Sequence, residues 1–119
     1  MQKRARYSQL HLLEHIIELC ETINKELTGK VFEDFQSDRN LVDATAFRLQ
    51  AIGEACTKLE DRIKAAHDLP WKEIIGMRQV LSHNYMGLSK VTVWRTAIGD
   101  LGELHAACAI AAAVERGRT

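Results

Sequence analysis

Arg78, His83 and Tyr85 fall within eight residues near the end of the stretch Trp71-Lys72-Glu73-Ile74-Ile75-Gly76-Met77-Arg78-Gln79-Val80-Leu81-Ser82-His83-Asn84-Tyr85. The cluster is too polar and too dense for a packing surface. A guanidinium supplies a permanent cation, an imidazole titrates near neutrality, and a phenol can donate, accept or be modified. Together they suit chemistry on a phosphate: the cation binds it, the imidazole moves a proton, and the phenol stands two residues away. The surrounding charge agrees. From Ile74 to Gly99 there are three cations, Arg78, Lys90 and Arg95, and no Asp or Glu.

The elements that must hold this cluster read as helices. Leu10, Leu12, Leu13, Ile16, Ile17, Leu19, Cys20, Ile23 and Leu27 share one arc at helical spacing, which predicts an amphipathic helix from Tyr7 to Leu27 with Gly29 as its stop. Val31 to Gln36 predicts a short helical turn that tucks Phe32 and Phe35 against the rest. Ser37 or Asp38 caps a long second helix, in which Leu41, Thr45, Leu49, Ile52, Cys56, Leu59 and Ile63 face the core. Its reverse side carries Ala44, Phe47, Ala51 and Ala55 beside Glu54, a stripe that suits either a subunit contact or an ordinary half-exposed face. Asp68-Leu69-Pro70 separates this helix from a third, anchored by Trp71, Ile74, Met77 and Leu81. After a break at Met86-Gly87-Leu88-Ser89, Ser89 caps a final helix with Val91, Trp94, Ala97, Ile98, Leu101, Leu104, Cys108 and Ala112 on one face. His105 falls on that apolar side, where a satisfied core histidine is expected. The prediction is a single domain over residues 1–119, an all-α antiparallel bundle of four to five helices.

Composition narrows the function classes. At 119 residues, with 46% hydrophobic and 27% charged residues and one proline, the chain is ordered and long enough for one core. Net charge is zero, which argues against nucleic-acid binding mainly through a broad basic field and fits a cleft that needs only local cations. Cys20, Cys56 and Cys108 are odd in number and lie in apolar helical patterns, so neither a disulfide framework nor a zinc motif is expected. His11, Glu14 and His15 interrupt any signal-like apolar run, and the longest uncharged run, 104–114, is short for a membrane span. A cytoplasmic location is expected. His11-Leu12-Leu13-Glu14-His15 has the H-x-x-E-H form of some zinc proteases, but both histidines face solvent without an evident third ligand. A solvated helix face is the reading, and no metal is assigned.

Arg78, His83 and Tyr85 form an R-x4-H-x-Y pattern. Arg48-Leu49-Gln50-Ala51-Ile52-Gly53-Glu54-Ala55 precedes it, and Leu69-Pro70-Trp71-Lys72-Glu73-Ile74-Ile75-Gly76-Met77-Arg78 leads into it. In this order, in an all-helical chain of this length, they resemble HEPN domains, and specifically the HepT-like toxins paired with minimal nucleotidyltransferase antitoxins. The resemblance implies a metal-independent endoribonuclease toxin that works as a homodimer on RNA. It also implies that the partner nucleotidyltransferase uses ATP, with Mg, to attach AMP to Tyr85 and silence the enzyme. Arg78 and His83 are then catalytic, with Arg48, Glu54, Gln79 and Asn84 as supporting RNA or nucleotide contacts.

The residue chemistry stands beside that resemblance. RNA carries its own nucleophile, the 2'-hydroxyl, so cleavage needs a proton acceptor, a proton donor and positive charge for the phosphorane. On an unbroken helix Arg78 and His83 would point about 140° apart. Either the helix ends near Ser82, or the two residues meet their partners across a dimer interface. Two other readings remain: a non-catalytic HEPN module that binds nucleotide or serves as a nucleotidyltransferase's partner, and a purely structural cluster in which Arg78 pairs with Glu54 and Tyr85 packs on the core.

Overall fold

A computed structural model describes residues 7–79, 89–99 and 101–118. The described elements are α1 (Gln9–Leu27), α2 (Phe32–Gln36), α3 (Arg39–Thr57), α4 (Asp61–Ala65), α5 (Trp71–Gly76) with a 3-10 turn at Met77–Gln79, α6 (Lys90–Gly99) and α7 (Leu101–Gly117). There is no strand among the described residues. The fold is an all-α bundle, as the apolar periodicity predicts.

Local chemistry sets the helix starts. Ser8 accepts the N–H of His11 at 3.2 Å, Asp38 that of Leu41 at 3.1 Å, and Ser89 that of Thr92 at 3.1 Å. Each side chain satisfies one of the first-turn donors that have no partner within the helix. Gly29, just after α1, takes φ +83°, a conformation that disfavours residues with a Cβ.

The core lies where α1, α3 and α7 meet. Leu13, Ile16, Ile23, Leu49, Ile52 and Leu104 are all essentially removed from water. Each such side chain favours folding by about 1.5–3 kcal/mol relative to exposure. Phe35 is fully buried, with its ring 5.2 Å from Trp94, and Phe32 meets the same indole at 6.1 Å. This aromatic contact ties α2 to α6. At the other end, the Trp71 indole N–H lies within hydrogen-bonding distance of two carbonyls, Lys64 at 2.9 Å and His67 at 3.0 Å, which joins α5 to the end of α4.

Two helices expected to be continuous are divided. The second stops at Thr57, although Leu59 and Ile63 beyond it are buried as the pattern requires. The reason is a long-range contact. Gln9 of α1 accepts the N–H of Glu60 at 2.8 Å and donates to the carbonyl of Lys58 at 3.3 Å, so one N–H and one carbonyl exposed by the break are satisfied. The final helix divides into α6 and α7, whose axes meet at 45°. Gly99 and Gly102 flank the division and offer little helix propensity to resist it.

The remaining expectations separate. Cys20, Cys56 and Cys108 are free and buried. His105 is half-buried at the α1–α7 boundary, not in the core, and its Nε2 lies 2.9 Å from the Glu21 carboxylate. Of the second stripe on α3, Ala55 belongs to the core whereas Phe47 is 62% exposed. No single helix among the described residues is long and apolar enough to cross a membrane.

Candidate ribonuclease site

The site is built on one close approach. The α5 helix ends at Gly76 and tightens into the 3-10 turn Met77–Gln79, which lies against α3. The contact residue on α3 is Gly53, buried and without a side chain. A Cβ there would lie 2.5 Å from the backbone nitrogen of Arg78, 3.0 Å from the carbonyl oxygen of Ile75 and 3.1 Å from that of Ile74. Only glycine fits that approach. Ile74 and Met77 are both buried in the core, which roots the turn there.

Arg78 is thereby fixed at its backbone while its side chain is exposed. Among the described residues it makes no hydrogen bond and no ion pair. The structural pairing with Glu54 does not form: Glu54 Oε2 accepts from Lys58 Nζ at 2.6 Å instead. The Lys58 hydrogen bond and charge hold the Glu54 carboxyl below the usual glutamate range, and the Arg78 charge adds a weaker push in the same direction. Arg78 is close enough to be felt by Glu54 without being held by it.

The other expected site residues are distributed as follows. Arg48 is committed to Glu26 of α1, a pair that clamps α1 to α3. Gln79 is exposed on the 3-10 turn beside Arg78. His83, Asn84 and Tyr85 lie outside the described residues. An α-helix running unbroken from Trp71 is already excluded, because α5 ends two residues before Arg78. His11 and His15 are exposed on α1, and among the described residues no three His, Cys, Asp or Glu side chains are arranged to hold a metal ion.

Two contributors to this geometry are not singled out by sequence reading. Gly53 looks like any helix glycine, since nothing local announces that another backbone packs on it. Lys58 was visible in principle, because a Glu four residues before a Lys on a helix is a favourable pair.

Comparison with known proteins gives the family. The sequence model of the family described as HepT-like, ribonuclease HepT-like, matches residues 12–110. The chain belongs to the HepT-like ribonuclease family. A relative from Caldanaerobacter subterraneus subsp. tengcongensis, provisionally named an RNase, is 40% identical over 94 residues, covering 78% of this chain and 84% of its own. One from Thermococcus cleftensis, provisionally named ribonuclease HepT, is 33% identical over 103 residues, covering 86% and 91%. One from Methanocaldococcus jannaschii, also provisionally named an RNase, is 32% identical over 93 residues and covers 77% of each. No solved structure matches the chain.

Proposed function

We propose that this member of the family is a metal-independent endoribonuclease, the toxin of a toxin-antitoxin pair, acting in the cytoplasm as a homodimer. The observation that carries the reading is Arg78: anchored through its backbone on Gly53, exposed, and free of any ion pair among the described residues. A planar guanidinium in that condition suits two oxygens of an RNA phosphate.

In the proposed reaction a histidine takes the proton of the 2'-hydroxyl, and the 2'-oxygen attacks the adjacent phosphorus. Arg78 stabilises the extra negative charge of the phosphorane, and the 5'-oxygen leaves with a proton from an acid. The products are a 2',3'-cyclic phosphate and a 5'-hydroxyl. Each protomer brings one motif histidine, so His83 from two protomers would serve as base and acid across a shared cleft. The exposed Phe47, about two turns before Gly53 on α3, offers an apolar centre for such a contact.

Silencing is proposed through Tyr85. A cognate nucleotidyltransferase antitoxin would transfer AMP from ATP, with Mg, to the phenol, seven residues after Arg78 in sequence, where the added nucleotide and negative phosphate would compete with RNA for that cation. Gln79 and Asn84 would give polar contacts to RNA or nucleotide, whereas Arg48 and Glu54, each held in an ion pair on α3, would act on the site without touching RNA.

The test is to incubate the purified protein with RNA in EDTA. Cleavage that leaves cyclic phosphate ends and is abolished in His83→Ala and Arg78→Ala supports the reading. Intact RNA, or cleavage equally strong in His83→Ala, would sink it.

A further inference from the structure

Arg78 serves as a phosphate ligand only while no carboxylate holds it, and the residue after its anchor point is a carboxylate. Glu54 follows Gly53 on α3, with its side chain about half exposed. Two cations act on it, yet it touches only Lys58, at 2.6 Å.

Lys58 is itself held from two directions. Its ammonium stands 5.3 Å from the centre of the Tyr7 ring, a cation–π contact, and its backbone carbonyl accepts the Gln9 amide at the break between α3 and α4. A flexible lysine is thus directed along α3 toward Glu54, in the favourable order of Glu preceding Lys by four residues.

We propose that Lys58 is a positioning residue for RNA cleavage, which occupies Glu54 and so leaves the Arg78 guanidinium free for the RNA phosphate. This rests on the ribonuclease reading above. Without Lys58, the cation left beside Glu54 is Arg78, whose backbone nitrogen packs against the preceding residue, Gly53. A guanidinium and a carboxylate pair in two parallel hydrogen bonds, which RNA would have to break before its phosphate could bind. Tyr7 keeps Lys58 at its post, so the chain before α1 bears indirectly on the site.

Two measurements test this. Binding of a short single-stranded RNA is followed by fluorescence anisotropy on the His83→Ala background, where turnover is removed. Lys58→Ala should weaken binding about five-fold, the scale of one partly screened charge contact, while Lys58→Ala with Glu54→Gln should return to within about two-fold of the parent. A double variant as weak as the single would overturn the proposal, because it would mean that Lys58 touches RNA itself. The second readout needs no RNA. The Arg78 Nε–H resonance should become protected from exchange in Lys58→Ala and lose that protection when Glu54→Gln is added; an unchanged resonance overturns the proposal. Failure of the wild-type protein to cleave RNA would instead overturn the ribonuclease reading and leave the resonance measurement decisive for Lys58.

Discussion

Gly53 and Arg78 are in backbone contact: the position a Cβ would take on Gly53 is 2.5 Å from the Arg78 nitrogen. The turn that carries Arg78 therefore rests on α3 through a vacancy one methyl group wide. That makes the guanidinium's position a property of the helix beneath it more than of the short turn that carries it.

Gly53→Ala should be costly and Gly76→Ala harmless. The alanine methyl at 53 would meet backbone atoms, which cannot swing aside, so α3 and the turn must part. Overpacking of this kind costs about 1–3 kcal/mol. Displacement of Arg78 should lower RNA cleavage at least ten-fold, beyond the effect on folding. A Cβ at Gly76 meets nothing within 4 Å. There the better helix propensity of alanine should raise stability by about 0.5 kcal/mol. Urea denaturation and initial cleavage rates on both variants check the contrast.

The three cysteines should be inert in the folded protein. Burial pushes the thiols of Cys20, Cys56 and Cys108 up to about 12, and their mutual proximity adds to the shift at Cys20 and Cys56. With DTNB at pH 8 the native protein should release no thiolate signal, and the urea-unfolded protein three equivalents. The sign of the pH effect follows from the raised folded values. Unfolded thiols ionise near the ordinary value of about 8.5 while folded ones stay protonated, so stability is intact below that pH and falls as pH rises toward 12. Replacing Cys56 by Ala should flatten that decline in urea midpoints measured between pH 8 and 10.

The ion pairs should differ sharply in weight. Arg62 makes two hydrogen bonds to the buried Glu115, at 2.9 and 3.1 Å, and a third to Glu60 at 2.7 Å, which ties α4 to the end of α7. Arg39 and Asp43 are a single exposed pair on α3. Arg62→Ala leaves the buried Glu115 carboxylate with only Arg118, at 4.0 Å, and should lower the urea midpoint clearly, whereas Arg39→Ala should leave it almost unchanged. The Arg62 hydrogen bond holds the Glu115 carboxyl below the usual range, and the charges of Arg62 and Arg118 add to it. Its contribution is present above the ordinary glutamate value of about 4.3 and is lost as pH falls through the folded value. A Glu115→Gln variant should therefore lose less stability than wild type between pH 5 and 3.

Phe47 supplies a test of assembly. If the proposed dimer closes over this ring, Phe47→Glu should convert a dimer into a monomer by analytical ultracentrifugation, without loss of helix by circular dichroism. Cleavage should fall with it, because base and acid would no longer share a cleft. A variant that remains dimeric and active would place the contact elsewhere.

The helices were legible where one segment determines its own outcome. Apolar residues at three- and four-residue steps mark α1 and α3, and Ser8, Asp38 and Ser89 act within their own first turns. The end of α3 was not legible, because the Gln9 amide that satisfies the break comes from 51 residues away at Glu60 and leaves no mark in the local pattern. The site divides in the same way. Arg78 can be named from its motif and flanks, but Gly53's role depends on which backbone packs against it, and the partner of Glu54 is a choice between two cations. His105 was misplaced because its arc on α7 is apolar while α1 presents Glu21 opposite it.

The chain has two tryptophans, and they bracket the motif in sequence. Trp71 opens α5, with its indole tied to the end of α4, and Trp94 lies in α6 against Phe32 and Phe35. Replacing Trp71 by Phe leaves a single emitter seated in an aromatic cluster, and replacing Trp94 leaves one hydrogen-bonded at the opposite flank. The fold thus carries its own pair of optical probes, one on each side of the motif in sequence, able to report separately which flank responds when a candidate RNA or protein partner is added.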